Sequence, residues 1–279
     1  MTTTVRVSSA ALVGRDEQLR ASLTALEAVR SDRPGIVIVS GPAGIGKTRF
    51  VTALSDRLRA SGAAVLTGAC LDLGPAVPYS PLIEALRGVD PAPTLLLDAL
   101  TTAVDVPRSR LFALLRAEIA ALAQRRLTVL VIEDLQWSDQ ITRDALLYLT
   151  ATARRGRWAL VVTVRDDEVA TRPAVSQCIT LLHREALVRA SLEALSPGQV
   201  AALIGGISGT VPSRQRADRI HRRTGGVPLL VEEVVAAEAA GMTTVPAHLR
   251  DMFLSRVRGL DRHAARAVEV VAVVGDRCK

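Results

Sequence analysis

Short runs of β-branched and aliphatic residues alternate with longer stretches in which apolar positions recur every third or fourth residue. This alternation predicts a parallel α/β sheet with helices on both faces. The predicted strands are Gly35–Ser40, Ala64–Gly68, Thr128–Ile132 and Trp158–Val164, with a fifth near Leu187–Leu192. Helical spacing covers Arg49–Ala60, Arg110–Gln124 and Ile141–Arg154. Between the second strand and the next long helix, Pro75, Pro78, Pro81, Pro91 and Pro93 predict a loop-rich stretch.

Past residue 195 the pattern changes. Pro197–Ile204, Ser213–Arg223 and Val227–Ala240 read as short helices, punctuated by Gly205–Gly206, Gly225–Gly226 and Pro246. The expected organisation is an α/β domain over 1–195, a small helical domain over 196–245, and the start of a further domain over 246–279. Two more helices begin after Ala247, and the sequence stops at Lys279 soon after the apolar run Val268–Val274. A last apolar helix needs a packing partner, so the expectation is a piece of a larger protein.

Composition narrows the classes. With 49% apolar and 23% charged residues, the 279-residue chain has a globular profile. No run approaches the roughly 18 apolar residues of a membrane span, and Met1–Ala11 lacks the apolar block of a signal peptide. The expectation is a cytoplasmic protein without a membrane partner. Cys70, Cys178 and Cys278 lie far apart, in neither metal-site nor disulfide spacing, and read as incidental thiols. The net charge of +7 is carried almost wholly by arginine, lysine occurring only at Lys47 and Lys279. The densest basic group is Arg214, Arg216, Arg219, Arg222 and Arg223. It reads as a solvated helix face, because aromatic residues able to stack on bases make up only 3% of the chain.

Gly41-Pro42-Ala43-Gly44-Ile45-Gly46-Lys47-Thr48 matches GxxxxGK[ST] between an apolar strand and a helix. Composition alone would give on the order of 0.001 such matches by chance. Glycines let the backbone curl so that its N–H groups face phosphate oxygens, and the helix starting near Gly46 adds its positive end. Lys47 is expected on the β- and γ-phosphates and the Thr48 hydroxyl on magnesium, with Arg49 as a further nucleotide contact. ATP with Mg is the implied ligand.

Such a loop needs a strand ending in carboxylates, expected beside the first. Leu127 to Ile132 followed by Glu133 and Asp134 supplies it, with the acids at the edge where open α/β sheets bind ligands. One carboxylate would hold magnesium and the other would orient or deprotonate the attacking water. The assignment is Glu133 to the metal and Asp134 to the water. In the alternative, Asp134 holds the metal, Leu135 follows, and no general base remains.

Leu195-Ser196-Pro197-Gly198-Gln199 resembles the signature loop of ABC transporter ATPases, but it follows the acidic strand instead of preceding it. A helix start with Ser196 as N-cap and Pro197 in the first turn accounts for the same residues.

Other short motifs stand in order along the chain: Val13-Gly14-Arg15-Asp16-Glu17, Trp137-Ser138-Asp139, Val161-Val162-Thr163-Val164-Arg165 and Gly226-Val227-Pro228. With the phosphate loop and the acidic pair, this set resembles the STAND class of AAA-related signalling ATPases. The particular likeness is to the N-terminal module of large LuxR-type bacterial transcriptional regulators, and it runs from about Leu12 to Gly275. The resemblance implies that Val13, Gly14 and Arg15 lie near the adenine and that Thr163 and Arg165 sense the γ-phosphate. It also implies that Gly226 and Pro228 close the helical domain over the nucleotide, and that Ala247–Val274 opens a winged helix. The early start of the module favours the LuxR-type arrangement over one behind a cyclase or kinase domain. A slow ATP/ADP switch follows, controlling self-association or downstream domains, with DNA reached only through domains outside these residues. The alternatives are a dedicated ATPase or phosphotransferase, and a DNA-binding fragment acting through Arg214–Arg223.

Overall fold

The structure, a computed structural model, describes residues 12–29, 34–72, 77–102, 106–152, 155–241 and 262–274. Five strands, β1 (Gly35–Ser40), β2 (Ala64–Ala69), β3 (Thr128–Glu133), β4 (Trp158–Val164) and β5 (Ala186–Ser191), form one parallel sheet in the order β2-β3-β4-β1-β5. Every residue of β4 is buried, as are all but the last of β1 and β3, because helices cover both faces of the centre. Burial in β2 alternates and β5 is largely open, as suits the two edges.

Side chains alternate between two cores. Val37, Val39, Val129, Val131 and Val161 face α1 (Asp16–Ala28) and α2 (Lys47–Ala60). Ile36, Ile38, Leu130, Ile132, Leu160 and Val162 face the other helical layer. That layer holds α3 (Ser80–Arg87), α4 (Thr94–Thr102), α5 (Arg108–Arg125), α6 (Gln140–Thr152) and α8 (Pro173–Arg184), while the short α7 (Asp166–Val169) follows β4 directly.

The proline-rich stretch departs from expectation, for it contains α3 and α4. Pro81 sits in the first turn of α3, where its missing N–H would be unpaired anyway. Pro93 precedes α4 and its carbonyl accepts the N–H of Leu97. The prolines start helices here and do not interrupt them. Pro75 lies outside the described residues.

A third core is made by α9 (Pro197–Ser208), α10 (Arg214–Thr224) and α11 (Pro228–Ala239), through Leu195, Val200, Leu203, Ile204, Ile220, Val231 and Val235. The Ser196 side chain accepts the N–H of Gln199, whose own side chain returns to the Ser196 N–H. This capping box is the helix start read from Leu195–Gln199. The expected break at Gly205–Gly206 does not occur. Packing of Val200, Leu203 and Ile204 carries α9 onward until Gly209 ends it in the left-handed conformation.

On α10, Arg216 and Arg219 both pair with Glu238, at 3.0 and 3.1 Å, and Arg214 stands 4.0 Å from Asp218. Three of the five arginines thus have acidic neighbours, and Arg222 and Arg223 are exposed. A last helix, α12 (Arg262–Val274), is described; 246–261, where the further domain was expected to begin, and Cys278 lie outside the described residues. Among the described residues no helix is long and apolar enough to cross a membrane.

Candidate functional site

The segment between β1 and α2 is a backbone cradle. Gly41, Gly44 and Gly46 all have positive φ, and Gly46 caps α2 with no side chain, so the first-turn amides of the helix face outward without a protein acceptor on the cap. Gly44 is required twice over: its φ is 77°, and a Cβ would stand 3.1 Å from Leu229 Cβ. Lys47 is buried, and its Nζ donates to the carbonyls of Gly41 (2.8 Å) and Pro42 (3.0 Å). Burial lowers the Lys47 pKa, an effect opposed chiefly by the nearby Asp134 carboxylate.

The acidic strand corrects one expectation. β3 pairs with β2 and β4, so β4 lies between the carboxylates and β1. The acids still act on the loop: the Thr48 side chain lies close enough to Glu133 to influence its titration, and the Asp134 charge acts on Lys47. Burial raises the Glu133 pKa, and the Thr48 side chain holds it back. Asp134 adopts a left-handed conformation (φ 53°), uncommon for a residue with a side chain and a mark of functional sites. Its N–H donates to Thr163 Oγ1 (2.8 Å) and its Oδ1 accepts from Gln136 Nε2 (2.9 Å).

Arg165 follows β4. Its guanidinium lies 5.2 Å from the centroid of the Trp137 ring and pairs with Glu168. Glu168 also accepts from Trp137 Nε1 (2.8 Å) and faces Arg172 at 3.5 Å. Asp139, the last residue of the Trp137-Ser138-Asp139 motif, caps α6 by accepting the Thr142 N–H (2.9 Å).

Both the N-terminal segment and the helical part complete the cavity. Arg15 is 5% exposed and donates to the Glu193 carbonyl; burial lowers its pKa, opposed by the Glu193 charge. Gly14 turns against the Gln199 side chain, where a Cβ would come within 2.5 Å. On the other side, the Leu229 N–H donates to Gly44 O (3.2 Å), and Arg49 Nη1 meets Glu232 Oε1 at 2.6 Å. Gly226 (φ 74°) makes this approach possible: its carbonyl accepts the Leu195 N–H, and a Cβ there would stand 2.2 Å from Leu195 O.

The result is a cleft of about 910 Å³, within the range of small-ligand sites. Of the residues singled out from sequence, Val13, Arg15, Ala43, Gly44, Ile45, Gly46, Lys47, Thr48, Arg49, Asp134, Arg165 and Pro228 line it. Gly14, Gly41, Pro42, Glu133, Thr163 and Gly226 do not. Sequence reading missed Gln136, Glu168, Leu229 and Glu232, which carry no motif signal and are recruited only by the folded topology. Cys70 and Cys178 are buried free thiols whose pKa values burial pushes up to about 12 and about 11.

The cleft fits a metal-bound nucleoside triphosphate. Uncapped amides and a lysine converge at one end, Thr48 lines the cleft with Glu133 near it, and Arg165 Nε is buried without a partner among the described residues. A parallel sheet whose first strand leads through such a loop into a helix, with carboxylates at a neighbouring edge, defines a P-loop NTPase fold. The chain belongs to the AAA ATPase domain family, whose model matches residues 11–163, and it is a nucleotide-binding ATPase module.

Solved structures agree on the fold. The Aeropyrum pernix ORC2 protein (ADPNP–ADP complexes) superposes with a TM-score of 0.56 at 13% identity, over 87% of this chain and 68% of that one. The ORC1 protein of the same organism, in complex with DNA, gives 0.56 at 16% identity, over 96% and 74%. A point mutant of Thermotoga maritima RuvB gives 0.52 at 13% identity, over 93% and 76%. No curated protein matches the sequence.

Proposed function

We propose that this chain is the ATP-operated switch module of a LuxR-type transcriptional regulator, closing on Mg·ATP and reset by slow hydrolysis. The observation that carries the switch is that the helical part is attached to the phosphate loop itself, through Leu229 N–H to Gly44 O and through Arg49–Glu232. A ligand in the cleft therefore touches both walls, and it shifts the population toward the closed arrangement by its differential affinity. Turning a mostly open molecule into a mostly closed one takes about 5.5 kcal/mol. The ordered motifs from Val13 to Pro228 support the LuxR-type setting, with 196–245 as the lid and 246–279 leading toward further domains.

Within the site, Lys47 and the loop amides would hold the β- and γ-phosphates, Thr48 and Glu133 the magnesium, and Arg165 the terminal phosphate. Magnesium, when bound, neutralises phosphate charge and draws electrons from the breaking bond. Asp134 would orient the attacking water and take its proton. The nearness of Glu133 to Thr48 supports giving Glu133 to the metal, and the presence of Asp134 in the cleft wall supports giving it the water. Val13 and Arg15 would flank the base. The test is calorimetric titration with ATP and ADP, with and without magnesium, alongside phosphate release. A switch binds tightly and turns over well below 1 s⁻¹, below the range typical of enzymes proper; steady turnover far above that rate would favour a dedicated ATPase or phosphotransferase.

A further inference from the structure

Gln136 stands between the two groups to which hydrolysis has been assigned. It is 1% exposed, in the tight turn Leu135–Trp137 that follows the acidic strand. Its Oε1 accepts the backbone N–H of Arg165 (3.1 Å) and its Nε2 donates to Asp134 Oδ1 (2.9 Å). The orientation of this amide is not arbitrary: a backbone N–H is only a donor, so the oxygen must face Arg165 and the NH₂ must face Asp134. Asp134 is thereby tied at both ends to the close of β4, by its N–H on Thr163 and by its carboxylate through Gln136 to Arg165. Among the described residues, the hydrogen bond given to the Asp134 carboxylate is the one from Gln136. With Oδ1 accepting from Gln136, Oδ2 keeps its full accepting capacity at a residue that lines the cleft.

We infer that Gln136 is the positioning residue of the hydrolytic step: it fixes which oxygen of Asp134 meets the water, and it couples that choice to the strand end bearing Arg165. This rests on the hydrolytic reading of Asp134 given above. Gln136 itself touches neither nucleotide nor water; it acts through Asp134.

Gln136→Glu separates positioning from scaffolding. The introduced carboxyl group still accepts the Arg165 N–H, but buried carboxyl groups about 3 Å apart share one proton, so it loses its donor to Asp134 only where both ionise, and its rate is followed up to pH 9. Gln136→Met, of similar length, removes both bonds. Calorimetry gives the Kd for Mg·ATP, single-turnover phosphate release gives the hydrolysis rate, and thermal unfolding checks the fold. The expected result is a 10-fold or greater fall in the single-turnover rate for both variants, at the alkaline end for Gln136→Glu, with Kd changed less than 3-fold. Wild-type turnover in Gln136→Met, which can make neither bond, would overturn the inference. Equal losses of affinity and rate, with a lowered melting temperature, would overturn it as well. A wild-type protein that binds Mg·ATP without any single-turnover release would refute the hydrolytic roles of Asp134 and Gln136 while leaving the binding site intact. Absence of binding would instead remove the ATP reading on which both rest.

Discussion

The two walls of the cleft are built in opposite ways. One wall, Gly41–Thr48, is a single contiguous segment whose work is done by backbone: left-handed glycines, uncapped helix amides and one lysine folded back on its own loop. The other wall is assembled from side chains far apart in the chain, with Asp134 and Arg165 at one end, held from behind by Gln136 and Glu168, and Leu195, Leu229 and Glu232 across from the loop. A backbone site carries its own geometry wherever the strand and helix around it form. A side-chain site exists only when β3, β4 and α11 are all in register. The first wall should therefore govern affinity, and the second should govern what binding does.

The sharpest way to break this division is Lys47→Ala. Losing a charge-assisted donor at the phosphates costs about 3 kcal/mol, so Mg·ATP affinity should fall by on the order of 100-fold in calorimetry, with the melting temperature little changed. Next in size is Gly226→Ala, which places a methyl 2.2 Å from Leu195 O at a positive φ. Overpacking plus a strained backbone should destabilise the helical part by about 2–4 kcal/mol, read as early loss of amide protection in α9–α11 while the sheet stays protected.

A smaller effect belongs to the ion pair across the walls. Arg49 and Glu232 are partly buried, their side chains 30% and 9% exposed. Arg49→Glu should weaken the attachment of α11 by about 1–2 kcal/mol, and adding Glu232→Arg should recover a good part of it, a coupling that a double-mutant cycle on amide protection of α11 would measure. If the cycle shows no coupling, the two walls are joined by the backbone alone.

A last test asks how rigid the carboxylate end is. Cys70, whose N–H donates to the Glu133 carbonyl at 2.9 Å, is buried with its pKa pushed up to about 12 from 9.0. The folded state thus keeps the thiol proton that the unfolded state gives up. This contribution to stability is fully present below pH 9.0 and is lost as pH rises from there toward about 12. Native protein at neutral pH should leave Cys70 unlabelled by maleimide until it unfolds.

The same contrast explains what the sequence made legible. The central strands are uninterrupted apolar runs, so Ile36–Val39, Val129–Ile132 and Ala159–Val164 announced themselves, as did the phosphate loop, whose chemistry lies within eight consecutive residues. Strand order was not legible, because nothing local to Thr128–Glu133 says that β4 intervenes before β1. The prolines at Pro81 and Pro93 were read as breakers because the rule for helix interiors was applied to positions that turned out to be helix starts. Gly205–Gly206 was read as a break because propensity there is outweighed by the packing of Leu203 and Ile204. Gln136, Glu168 and Glu232 were invisible for a different reason: their partners are set by folding, and a single glutamine or glutamate has no spacing signature.

The most direct test is amide hydrogen exchange of the protein with and without Mg·ATP. The account predicts protection appearing together in the loop Gly41–Thr48 and across the cleft in 226–232, with both lost in Lys47→Ala. Protection confined to the loop, or none in a folded protein, would contradict a nucleotide site shared between the two walls.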